Sequence, residues 1–171
     1  MKKLILSILV SASLIACTNQ ETKTEATTET TGSVTTTGPD VDMLKKGTTA
    51  FANGDWVTVA SNYADTAKSY HNIWPSNTDT TVGVTIPVII EVFKTQRELI
   101  DGNLTIGGTI YEVVTMPDGN KYGHSWVEMS WKSKKGVAGK VLVFNSFGIN
   151  KDGKITYEWP IYDTKDVVNL K

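Results

Sequence analysis

Between Leu104 and Tyr162 the apolar residues adopt a period of two and hold it through four runs: Leu104 to Met116, Lys121 to Ser133, Val137 to Ile149 and Lys154 to Tyr162. Alternation of this kind marks strands that bury one face. The runs are separated by Pro117-Asp118-Gly119-Asn120, Lys134-Lys135-Gly136 and Lys151-Asp152-Gly153. Such short polar turns make consecutive strands antiparallel neighbours, so the C-terminal part of the chain is a long meander.

Upstream the period is helical. Asp40 is placed to cap a helix with Val41, Leu44, Thr48 and Phe51 on one face, stopped by Asn53-Gly54. Asp55 caps a second, short helix with Trp56, Val59, Ala60 and Tyr63 inward, and a brief strand follows near Ala67 to His71. Thr85 and Pro87 open a third helix carrying Ile89, Val92, Phe93, Gln96 and Ile100, closed by Asp101-Gly102. Helices first and a meander afterwards predict an α+β domain, with the helices on one face of the sheet.

The N-terminal residues are of another kind. MKKLILSILVSASLIAC has two lysines, an apolar run too short to span a bilayer as a mature helix, and small residues, the layout of a secretory signal peptide. Leu14-Ile15-Ala16-Cys17 resembles the bacterial lipobox, and the chain's single cysteine falls on the lipidated position. That resemblance implies anchoring through acyl chains without a spanning helix. Thr18 stands where an aspartate would, by analogy with enterobacterial sorting, favour inner-membrane retention, which points to the outer membrane of the cell envelope. Residues 18–40 hold ten threonines, four acids, one lysine and no aromatic residue, and are expected to be a disordered tether.

Subtracting signal (1–17) and tether (18–40) leaves a domain over 41–171 with no net charge and all fifteen aromatic residues. Neutrality gives no field to gather phosphates, so nucleic acid is not an expected partner. One cysteine excludes a disulfide scaffold. No metal-ligand spacing, glycine-rich nucleotide fingerprint or nucleophile elbow is present, so neither a metal nor a cofactor is expected. Asn150-Lys151-Asp152-Gly153 is too short for a calcium loop and reads as a hairpin turn.

The runs FANGDWVTVASNYADTAKSYHNIW, FKTQRELIDG, HSWVEMSWKSKKGVAGKVLVFNSFGINKDGKI and YEWPIYD together resemble the SnoaL-like branch of the nuclear transport factor 2-like superfamily. The resemblance rests on Gly54-Asp55-Trp56, on Phe147 to Ile155 and on Ile161-Tyr162-Asp163, with isoleucine in place of the first aromatic. It covers nearly all of 41–171. It implies a cone in which a strongly curved antiparallel sheet wraps N-terminal helices around a cavity, a fold that serves enzymes and non-catalytic binding domains alike.

Alternation in the last two strands sets Val141, Val143, Asn145, Phe147 and Ile149 on one face and Ile155, Tyr157, Trp159 and Ile161 on the adjoining one. If that face is concave, Asn145, Phe147, Tyr157 and Trp159 form a ligand wall, and the resemblance implies a cavity mouth beside His71 and Trp74. Glu158 then points outward. Catalysis in a fold of this kind requires an acid or histidine in the apolar cavity with a tyrosine or acid opposite. His71, Asp163 and Tyr63 are the candidates, although Asp163 equally suits the cap of a terminal turn and no acid falls on the Asn145 face. Tyr122, His124, Trp126 and Glu128 share the other face of their strand, where the resemblance implies dimerisation. The expected function is binding of a small apolar or aromatic molecule. Two alternatives are an isomerase, cyclase or hydratase of the same fold and a dimeric envelope interaction module.

Overall fold

The structure is a computed structural model that describes residues 31–70, 83–163 and 165. Cys17, His71 and Trp74 lie outside the described residues. No described helix is long and apolar enough to cross a membrane. The elements are β1 (Ser33–Thr35), α1 (Pro39–Asn53), α2 (Trp56–Ser61), β2 (Tyr63–Ser69), β3 (Val84–Thr85), α3 (Ile86–Arg97), β4 (Thr105–Thr115), β5 (Lys121–Lys132), β6 (Ala138–Ile149) and β7 (Ile155–Ile161). Seven strands form one sheet in the order β1-β4-β5-β6-β7-β2-β3. The helices pack on one face of it. The meander is as expected, because each of its turns places a glycine at positive φ where a side chain would be strained: Gly119, Gly136 and Gly153.

Several boundaries differ from the sequence reading. Ser33–Thr35, inside the expected tether, pairs with Thr115–Val113 at the sheet edge, and α1 starts at Pro39 with Gly38 as its N-cap. Asp40 sits in the first turn, where its carboxylate takes an ion pair from Lys121 at 2.7 Å instead of capping. Asp55 caps α2 through Thr58 N as expected, but α2 stops at Ser61 and Tyr63 is the first residue of β2. The sheet is mixed, since β2 runs parallel to β7, with Tyr63 opposite Ile155 and Ser69 opposite Glu158. Helix α3 ends at Arg97, and Ile100 leaves it to bridge Ser133.

The largest departure lies in β7. Ile149 faces Ile155 and Gly148 faces Tyr157, so Thr156 has no counterpart on β6 and forms a bulge. Two details hold it: the Thr156 hydroxyl donates to the Gly148 carbonyl at 3.2 Å, and the Tyr157 ring lies on Gly148, where a Cβ would collide with it. One unmatched residue reverses the facing of everything after it. Ile155 is buried as expected, but Glu158 and Pro160 then turn inward, while Trp159 and Ile161 are 53% and 51% exposed.

Buried side chains gather in three clusters rather than one. The first joins Val41 and Leu44 of α1 to Val113, Val127, Phe147 and Ile155. The second joins Ala50, Val59, Ala67, Ile86, Ile89 and Ile90 across the helices and β2. The third, Ile100, Trp131, Val141 and Val143, occupies the far end of β5 and β6. Tyr63 packs against the first two and Met129 against the first and third. The space between the clusters remains open.

Candidate functional site

That space is a cavity of about 180 Å³. Its helical wall is α1 from Met43 to Phe51, Trp56 and Val59 of α2, and the inward face of α3; its sheet wall is Met129, Trp131, Val141, Val143, Asn145, Phe147, Ile155, Glu158 and Pro160, with Tyr162 beyond β7. Edge-to-face contacts of Phe51 with Trp56, at 5.7 Å between centroids, and with Phe93, at 5.0 Å, stiffen the helical side. The lining is predominantly hydrocarbon, so each polar group that enters it is conspicuous.

The foremost is Glu158, only 8% exposed. The Tyr63 hydroxyl donates to its Oε2 across the parallel β2–β7 pair. The backbone is held as well, by the Tyr70 amide donating to the Glu158 carbonyl at 2.9 Å. Burial drives the carboxyl above its ordinary pKa, and the hydroxyls of Ser69 and Tyr63 partly oppose this by favouring the ionised form. The Ser69 Oγ lies close enough to favour the charge without a hydrogen bond of ordinary geometry, whereas the Tyr63 hydroxyl is bonded to the carboxylate directly. Tyr63 itself is pushed well above the usual phenol range by burial first and by the Glu158 charge second. The phenol therefore stays protonated as donor. Tyr162, raised by burial and then by Glu158, stands beside the same carboxyl.

Asn145 is the second polar group on the sheet wall. It lies opposite Ser125 and donates through Nδ2 to the buried Ser125 Oγ at 3.1 Å. Since Asn145 faces Pro160 and Phe147 faces Glu158, Asn145 and Glu158 are diagonal neighbours on one inward surface. Side chains so placed lie roughly 7–8 Å apart at their backbones, close enough to meet one small molecule.

Of the residues singled out from sequence, Tyr63, Asn145 and Phe147 line the cavity together. Tyr157 and Trp159 do not: the bulge turns them to the outer face, where Tyr157 covers Gly148 and Trp159 packs on Tyr70 at 6.0 Å. Asp163 is exposed and outside the lining, and its Oδ1 accepts from the Lys165 amide at 2.9 Å, the geometry of a cap. Glu158, expected to point outward, is the acid of the cavity. Arg97 also borders the cavity, and in the run FKTQRELIDG it carries no motif that signals this.

The outer face is organised in rows. Ile110, Trp126, Phe144 and Ile161 are successive cross-strand partners over β4 to β7. Beside them run Glu112, His124, Ser146 and Trp159, with His124 Nδ1 3.1 Å from Glu112 Oε1 and its ring 5.8 Å from that of Phe144. Ile110 and Leu142 are 60% and 59% exposed, so on the face opposite the helices an open apolar row through Trp126 and Phe144 lies between polar pairs, His124 with Glu112 and Lys140 with Glu128.

No family model and no curated protein matches the chain. Solved structures do. IdmH of Streptomyces antibioticus, described as a candidate polyketide cyclase, superposes with a TM-score of 0.57 at 14% identity over 78% of this chain and 98% of that one. A nuclear transport factor 2-like protein of Burkholderia xenovorans gives 0.54 at 13% identity, covering 77% and 94%. RV0760c of Mycobacterium tuberculosis, solved in complex with estradiol-17beta-hemisuccinate, gives 0.56 at 12% identity, covering 76% and 98%.

Proposed function

We propose that this chain, with its nuclear transport factor 2-like fold, binds a small, largely apolar molecule in the cavity and does so as a lipid-anchored protein of the cell envelope. The observation that carries the reading is Glu158: a carboxyl supported by Tyr63 in a hydrocarbon-lined space of about 180 Å³. An apolar body fits the walls, and a polar end fits Glu158 and Asn145. The relatives named above support a small-molecule ligand by analogy of fold, one having been solved with a steroid ester. Native mass spectrometry of the chain purified from its host tests this. A retained small molecule is expected, and Val143→Trp, which puts an indole into the cavity wall, is expected to lose it. Retention by that variant would place the molecule elsewhere.

The same pair supports a second reading, proton transfer of isomerase, cyclase or hydratase type. Glu158 with a raised pKa is suited to accept a proton from an acidic C–H, hold it as the neutral acid while the substrate carries the negative charge, and return it to a neighbouring carbon, with the Tyr63 donor holding the carboxylate in place before the first transfer and after the second. Deuterium uptake from heavy water into the retained molecule, lost in Glu158→Gln, distinguishes this from binding alone.

Anchoring rests on the lipobox resemblance at Cys17. Cys17→Ser is expected to move the protein from the membrane to the soluble fraction, with the wild type in the outer membrane. The open apolar rows of the outer face support a homodimer formed through Trp126 and Phe144.

A further inference from the structure

Strands β6 and β7 each contribute one polar side chain to the cavity wall, Asn145 and Glu158. The Tyr63 hydroxyl is bonded to Glu158 Oε2, and among the described residues no donor is bonded to Oε1. The described side-chain atoms that are both sealed from water and unpartnered are Ser69 Oγ and Arg97 Nη1. Oε1 is not one of them, so it has accessible surface, and on an inward-facing residue of the lining that surface opens to the cavity. Asn145 repeats the arrangement. Its Nδ2 donates to Ser125 Oγ at 3.1 Å, while Oδ1 takes no donor among the described residues and is not sealed. The wall thus offers two acceptor oxygens, one of them on a carboxyl group.

Among the described lining residues only Glu158 and Arg97 are charged. Arg97 turns Nη2 to the Ala52 carbonyl at 2.9 Å and to Asn103 Oδ1 at 2.7 Å. Among the described residues no lysine, arginine or histidine is ion-paired with Glu158. The groups that favour its charge are the neutral hydroxyls of Ser69 and Tyr63. A carboxylate in hydrocarbon surroundings is stabilised when a cation joins it, and the protein supplies none at Oε1.

We propose that Glu158 Oε1 and Asn145 Oδ1 bind the ammonium group of a small apolar amine, so that the cavity's ligand is a monocation. This rests on the reading of the cavity as a binding site. An ammonium has several donors and no acceptor, which matches a pair of acceptor oxygens. A hydroxyl brings one donor, and a carboxylate brings a second negative charge to Glu158. Folding has already desolvated Glu158, so association bears only the desolvation of the ligand. The size is set by the cavity of about 180 Å³. An engineered void of about 150 Å³ takes benzene, so one ring or a short branched chain, joined to nitrogen through a methylene, fills this one. The ammonium lies toward the sheet wall and the body along the apolar side chains of the helices.

Benzylamine, benzyl alcohol and benzoate share one ring and differ in the charge of the head. Titration calorimetry of the full-length chain with each, at neutral pH and one ionic strength, is expected to give benzylamine at least tenfold tighter binding than either other probe. In Glu158→Gln, benzylamine is expected to fall to the level of benzyl alcohol, and a folded variant that keeps the preference would overturn the assignment. If that variant does not fold, the wild-type ranking alone decides. Benzyl alcohol or benzoate binding as tightly as benzylamine would overturn the amine assignment and leave the cavity reading standing. No binding of any probe would overturn both.

Discussion

The Tyr63–Glu158 bond is open to a double-mutant cycle. A hydrogen bond to a charged group is worth about 1.5–3 kcal/mol, against about 0.5–1.5 for a neutral pair. Tyr63→Phe removes this donor from Glu158, which is 8% exposed. In Glu158→Gln the tyrosine still donates, now to a neutral amide oxygen, and the cost of Tyr63→Phe falls to the neutral value. Where Glu158 is ionised, above its folded pKa, the two substitutions should therefore couple by about 1 kcal/mol, roughly 3–5 °C in Tm for a domain of this size. The sign with pH follows from the raised pKa of Glu158. The folded state holds a proton that the unfolded chain has released, so stability is full below the unfolded pKa, falls as pH rises through the folded value, and levels off above it. Glu158→Gln loses this slope. Tyr63→Phe steepens it, because the lost bond favoured the ionised form, and its deficit against wild type widens as pH rises. Urea denaturation of the four proteins across pH 4 to 9 measures both effects. Substitutions that stay additive at the alkaline end of the range, or a deficit that narrows as pH rises, would refute the assignment of Glu158 as an inward, Tyr63-supported carboxyl.

Deletion of Thr156 removes the unmatched residue of β7 and one hydrogen bond to Gly148. It is expected to fold with a loss of about 0.5–1.5 kcal/mol, and the pH slope due to Glu158 should persist because Glu158 still faces Phe147. Gly139→Ala drives a Cβ into the buried Trp131 indole, and overpacking of this kind costs about 1–3 kcal/mol, measurable as a lower urea midpoint. Trp126→Glu places a charge in the middle of the outer apolar rows, and sedimentation should show a wild-type dimer reduced to a monomer.

The meander was legible because each of its turns carries a local instruction. Pro117-Asp118-Gly119-Asn120 demands a left-handed residue where Gly119 supplies it, and the flanking alternation leaves one register in which Val127 and Val143 both reach the core. The helix faces were legible for the same reason, Val41 and Leu44 being among the most buried residues of the chain. Pairing set by distant parts was not. Nothing local in Tyr63 to Ser69 says that it lies parallel to β7, and the three residues of β1 are held by the edge of β4 rather than by any pattern of their own.

The site was misread through parity, and the misreading has a physical cause. In Ile155-Thr156-Tyr157-Glu158-Trp159-Pro160-Ile161, the odd positions are all apolar or aromatic, so a period of two assigns them together to the core. That inference assumes a single apolar destination. This sheet has two, since the outer rows through Trp126 and Phe144 gather Ile161 as readily as the cavity gathers Ile155. With both faces apolar, alternation identifies a strand but not its inner face. The discriminating residues are the ones that fit neither pattern. Pro160 cannot donate to a ladder and lies opposite Asn145, already assigned inward, while Thr156 offers a hydroxyl but no bulk. Reading inward from Pro160 and back from Ile155 gives opposite parities that one extra residue between them reconciles. Once that residue is placed, Glu158 is the acid on the inward face.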